Sequence, residues 1–172
     1  RLLSISQLRS RQIRREISRS AITAAIFTML GMGEIILWQQ GHTAIYTNFD
    51  AYPVWYSVLS VFLVLIIQDT FYYWLHRWMH IPPFYRWIHK EHHMSLQTSA
   101  FTSFSFHPLE SLLQAIVLPV LVLWLPLHIG VILAILLFMT IAATINHGAV
   151  EIYSAKWARN RLAIWLIGAA HH

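Results

Sequence analysis

No cysteine occurs anywhere in this 172-residue chain. That removes disulfide frameworks, cysteine-ligated zinc and thiolate-held iron–sulfur clusters. Charge is scarce too: 11% of residues are Asp, Glu, Lys or Arg, against roughly 25% in soluble domains. With 57% apolar residues, the chain reads as a single membrane domain covering 1–172. Familiar signatures are missing as well. There is no glycine fingerprint for a dinucleotide or flavin and no CxxCH haem attachment. The H-E-x-x-H zinc-hydrolase motif is absent, since Arg77 follows His76 and Lys90 follows His89. The net charge of +5 is no nucleic-acid signal, because no RNA- or DNA-binding motif accompanies it. Arg1 and His172 both read as cut ends, the second inside a motif.

Long apolar runs are what the chain does have. Residues 1–20 are rich in Arg and Ser, with Leu2, Leu3, Ile5, Leu8, Ile13 and Ile17 loosely on one face. They fit a basic segment lying on a membrane surface. Ala21–Trp38 is then long enough to span, since roughly 17–25 residues cross a bilayer. A polar loop, 39–53, leads to the clearest span, Val54–Leu75. Residues 76–110 are polar, aromatic and histidine-rich, broken by Pro82-Pro83 and by His107-Pro108. Leu112–Ala143 is too long for one crossing and reads as two segments, about 109–125 and 129–146, folding back near Pro126. The expected fold is an all-α polytopic bundle of about four transmembrane helices with a histidine-rich cap.

Charge placement supports that topology. All twelve Lys and Arg fall in 1–19, 77–90 and 156–161, and the intervening loops 39–53 and 126–128 have none. The positive-inside rule makes the basic side cytoplasmic. Nine of the eleven histidines share it, His42 and His128 being the exceptions. The expectation is a multi-pass protein of a bacterial inner or ER-type membrane, with its active site on the cytoplasmic face.

Five histidines fall within eighteen residues, as His76-Arg-Trp-Met-His80 and His89-Lys-Glu-His92-His93. Imidazole is the commonest side-chain metal ligand. His76 and His80 are one helical turn apart and share a face. Pro82-Pro83 breaks the helix, so the second group can turn back toward the first. His147 and the terminal His171-His172 can reach the same layer. So many imidazoles exceed the four ligands of a structural zinc site and suit two ions. Asp69 lies two turns before His76 on the same face and can accept the N–H of a ligating histidine. His107, before Pro108, is either a helix start or a ligand. For His42 and His128 the structural reading is the stronger. Phe71, Tyr72, Tyr73, Trp74, Trp78, Phe84, Tyr85 and Trp87 form an interfacial belt or wall a lipid cleft.

At these residues the chain resembles the fatty acid hydroxylase/sterol desaturase superfamily of integral-membrane di-iron oxygenases. His76 to His80, with Asp69 before it, matches the H-x3-H box, and His89 to His93 matches H-x2-HH. Ser105-Phe-His107-Pro-Leu-Glu110 is similar to F-H-P-[LV]-[ED], and Asn146-His147-Gly148 with Glu151-Ile-Tyr153 is similar to N-H-x-G-x-E-[IL]-[YF]. His171-His172 resembles the start of a third box, HH-x2-HH, whose second pair the sequence does not reach. Ser154 stands where the family usually has Pro.

The resemblance implies metal ligands at His76, His80, His89, His92, His93 and His172, with His171 and His147 following, and His107 and Glu151 as candidate ligands or supporting groups. It implies two iron ions, O2 as co-substrate, and hydroxylation or desaturation of an aliphatic C–H in a fatty acyl chain or sterol. The reductant is then a separate protein of ferredoxin or cytochrome b5 type, docking on the basic face. The rival readings are a membrane zinc transporter, an intramembrane zinc hydrolase and a bis-His haem protein. A transporter would line a path at mid-membrane, whereas these ligands gather at one end of the spans.

Overall fold

The computed structural model describes residues 5–90 and 101–146. His92, His93, His147, Glu151, His171 and His172 lie outside the described residues, as does the short apolar stretch 162–170.

The described chain is mostly helical. The long helix α1, Ile5–Gln39, merges the basic segment and the first apolar stretch into one rod about 52 Å long at 1.5 Å per residue. Nothing between Arg19 and Ala21 breaks a helix, so the expected boundary near residue 20 is not there. Gly41 ends α1 with φ of 76°. Its N–H reaches Trp38 O at 3.0 Å while His42 N–H reaches Leu37 O at 2.9 Å. This is the Schellman arrangement, and its left-handed residue favours glycine.

Helix α2, Val54–Met79, runs one turn further than Leu75, so His76 sits in its last turn. Ile81 is extended (φ −64°, ψ 133°), as a residue preceding proline must be. Pro82–Phe84 (α3) then starts a new turn. A five-residue π turn, Tyr85–His89, follows and closes with Lys90 N–H on Tyr85 O at 2.7 Å.

A 3-10 turn at Thr102–Phe104 leads into α4, Pro108–Ala115, and α5, Val117–Val122. Pro108 at the first helical position needs no N–H partner. Pro119 cannot donate to Ala115 O, which accounts for the break at Ile116. Helix α6 is Ile129–Asn146. The fold-back near Pro126 is stitched by a two-residue parallel pair, β1 (Ile45–Tyr46) with β2 (Leu127–His128), in the register Ile45 to Leu127. His128 holds this corner: its Nε2 donates to Thr47 O at 3.2 Å and its Nδ1 accepts from Gly130 N–H at 3.0 Å.

Among the described residues two helices, α1 and α2, are long and apolar enough to cross a membrane, where about four spans were expected. The α4–α5 stretch Pro108–Val122 and Ile129–Ile145 of α6 are shorter apolar segments. The main core lies between α2, α5 and α6, built from Val64, Val117, Leu121, Val122, Leu125, Leu127, Ile132 and Ile135. The opposite faces of α2 and α6 expose Val58, Phe62, Ile66, Leu133, Leu137 and Phe138. So much apolar surface turned outward suits lipid rather than water. Helix α1 packs on α4 and on the turn before it through polar contacts: Thr23 Oγ1 and Ser111 Oγ of α4 share a buried hydrogen bond of 2.8 Å, and Ser20 Oγ donates to Phe101 O, at the head of the 3-10 turn, at 2.8 Å. Small hydroxyl residues of this kind let helices approach closely.

Candidate metal centre

A second, smaller apolar cluster builds the site. Leu75 and Met79, one turn apart on α2, pack on Ile88 of the π turn, with Phe84 and Leu113 at the edge. Met79 is wholly buried. Ile88 is therefore anchored to α2, and the next residue, His89, is delivered against the α2 terminus. Leu113 lies one turn beyond Glu110 on α4, so the same cluster brings the Glu110 carboxyl to His89.

The donor atoms of His76, His80 and His89 all lie within 4.8 Å of one another. The ring centroids are 4.7 Å apart for His76 and His80, 4.7 Å for His76 and His89, and 4.9 Å for His80 and His89. The Nε2 atoms of His76 and His80 stand 3.1 Å apart. Two imidazole nitrogens bound to one ion at about 2.1 Å are separated by roughly 3.0 Å at a right angle and 3.4 Å at a tetrahedral angle. The observed spacing falls within that range, so the His76–His80 pair fits one ion, with a His89 donor atom within 4.8 Å of both. Tyr72 stacks on His76 at 5.7 Å and Tyr85 on His80 at 5.6 Å, fixing both ring planes. Burial, and then the neighbouring His89, push the His80 imidazole below its usual value. That favours the neutral form a metal requires.

His89 is wholly buried, and its Nδ1 meets Glu110 Oε1 at 2.9 Å. Gln114 donates to the same oxygen at 3.2 Å, while Glu110 Oε2 is buried without a hydrogen-bond partner among the described residues. Glu110 occupies the first turn of α4, where the helix dipole favours an anion.

The other sequence candidates fall elsewhere. His107 caps α4, its Nδ1 accepting from Leu109 N–H at 3.3 Å, and it stands outside the three-histidine group. Asp69 is exposed on α2 and makes no side-chain hydrogen bond among the described residues. It lies seven positions before His76, about 10.5 Å along the axis. Glu110 holds His89 in the manner expected of Asp69. The signal that could have found it is a lone carboxylate just after His-Pro, at the head of a long apolar run. The π turn and the β1–β2 pair gave no comparable signal. His42 is exposed and His128 is a structural lock.

The family model for fatty acid hydroxylase matches residues 61–172. A Delta(7)-sterol 5(6)-desaturase of Saccharomyces cerevisiae is 30% identical over 155 residues, covering 89% of this chain and 41% of that protein. Lathosterol oxidase of Homo sapiens is 26% identical over 174 residues, covering 99% of this chain and 56% of that protein. A Delta(7)-sterol 5(6)-desaturase of Gibberella zeae is 30% identical over 105 residues, or 61% of this chain and 32% of that protein. The chain thus spans between a third and just over half the length of these relatives. No solved structure gives a significant match.

Proposed function

The chain belongs to the fatty acid hydroxylase family, and from that premise we propose that it is the metal-binding core of a membrane oxidoreductase acting on an aliphatic C–H of a lipid. The similarity to sterol desaturases and a lathosterol oxidase favours desaturation of a sterol-like substrate over hydroxylation of a fatty acyl chain. In desaturation, two hydrogens leave adjacent carbons, a donor supplies two electrons, two protons are taken up, and O2 ends as two waters. The two iron ions proposed here supply the O2 activation and hydrogen abstraction when bound.

The observation that carries this reading is the convergence of His76, His80 and His89 within 4.8 Å at the end of α2. These three are proposed to hold one ion, with Tyr72 and Tyr85 keeping the rings in place. His92, His93, His147, His171 and His172 are proposed to complete the pair of sites. His107, whose Nδ1 is committed to the cap, has only Nε2 to offer. Asp69 is proposed to support a ligand from the residues outside the described segments. Exposed Trp74, Trp78 and Trp87 beside Arg77, Arg86 and Lys90 suit a membrane–water boundary on the cytoplasmic side. The same basic residues offer an acidic ferredoxin or cytochrome b5 a docking face. Zinc-dependent hydrolysis and metal transport draw no support from the relatives.

The test is lipid product analysis in a sterol-producing host expressing the chain, with and without O2. A new double bond or hydroxyl, lost in His76→Ala and His89→Ala, is the expected result. Unchanged lipids with a metal-loaded, folded protein would overturn the reaction assigned.

A further inference from the structure

We infer that Glu110 is a positioning residue for the metal centre: it fixes His89 in the tautomer that directs Nε2 at His76 and His80. The inference rests on the metal-binding reading above and adds to it a residue for which the sequence assigned no role.

An ionised carboxylate can only accept, and in that state the 2.9 Å contact with His89 Nδ1 puts the hydrogen on Nδ1. That leaves the Nε2 lone pair as the only donor the ring can offer a metal. Neutral imidazole in water favours the opposite tautomer, with hydrogen on Nε2 and no lone pair toward the site. Both partners are sealed, each side chain being 1% exposed, so no water replaces the bond when it is lost. The carboxylate is itself steadied by Gln114 at 3.2 Å and by the first turn of α4. Ile88 and Leu113, in one apolar cluster, set the π turn and α4 in the register that makes the contact. Carboxylate-to-histidine contacts of this kind raise ligand basicity, and their loss typically weakens metal binding by 10–100-fold.

The test compares wild type, Glu110→Gln, Glu110→Leu and Ser111→Ala in detergent. Ser111→Ala breaks the Thr23 contact and loosens α4 without touching His89. Titration with Co2+ alone, read by its visible absorption, gives affinity and ligand field. In parallel, 15N spectra of the metal-free protein, with His89 assigned by His89→Asn, read the tautomer directly. Wild type should show hydrogen on Nδ1. Gln keeps an acceptor but no charge, so Glu110→Gln should retain that tautomer with an affinity loss of about tenfold. Glu110→Leu should shift the tautomer toward Nε2–H and lose about a hundredfold. Ser111→Ala should lower thermal stability with metal affinity intact. An Nδ1–H tautomer that persists in Glu110→Leu, or a Ser111→Ala variant that loses as much Co2+ affinity, would overturn the inference. A wild type that takes no Co2+ yet shows the Glu110-dependent tautomer defeats the metal-binding reading alone.

Discussion

Replacing Met79 by Ala should damage the metal site without removing a ligand. Met79 is fully buried in the cluster that clamps Ile88 to α2, so truncation leaves a cavity under the π turn. Deleting a buried Met or Leu side chain in this way costs about 2–5 kcal/mol. For a chain of this size, about 3 kcal/mol lowers the melting temperature by roughly 6–12 °C. The loss falls on the contact that delivers His89, so metal affinity should fall as well. If half of it is drawn from the docked state of the turn, the dissociation constant rises by about tenfold, since 1.4 kcal/mol is a factor of ten. Met79→Leu conserves volume and should cost under about 1.5 kcal/mol with affinity near wild type. Val64→Ala, in the main core away from the histidines, should lower stability by about 0.5–3 kcal/mol and leave affinity alone. Thermal unfolding in detergent and Co2+ titration measure both quantities. Stability lost in Met79→Ala with wild-type affinity would refute the link between this cluster and the position of His89.

His107→Asn should keep the α4 cap and the full metal content, whereas His107→Ala should lose about 0.5–2 kcal/mol of stability; iron lost from the Asn variant, seen by elemental analysis, would make His107 a ligand. Gly130→Ala would set a Cβ 3.0 Å from His128 Nδ1, against a ring held at both nitrogens. It should destabilise by about 1 kcal/mol in thermal unfolding, with metal content unchanged. Metal retention should follow pH in a stated direction. The His80 imidazole lies below its usual 6.5, so bound metal should persist through that pH and be displaced by protons only below it. The same sign holds for folding: a His with a depressed folded value contributes stability above its unfolded value and loses it as pH falls past it. Metal released already well above 6.5 in a pH titration would contradict this.

How far the sequence reaches depends on the range of the interaction. The facing of His76 and His80 is local helix geometry, and the turn-back after Ile81 follows from Pro82-Pro83, so both could be read directly. The fold-back near Pro126 was legible as a length limit on apolar runs. The union of residues 5–20 with the first apolar stretch was hidden, because composition changes there while helix propensity does not. The span count was harder, since Pro119 divides a run that hydropathy treats as continuous. Two-residue strands such as Ile45–Tyr46 carry no periodicity. The Glu110–His89 contact joins residues from separate turns and is set by the packing of Ile88 and Leu113. Helical phase places Asp69 on the His76 face but says nothing of reach.

The most direct test is iron content of the purified chain in detergent, beside His76→Ala, His80→Ala and His89→Ala, with folding checked by circular dichroism. The proposed pair of ions predicts two irons in the wild type, and the shared three-histidine site the loss of at least one in each folded variant. Iron unchanged across all three variants, or none above background in the folded wild type, would contradict it.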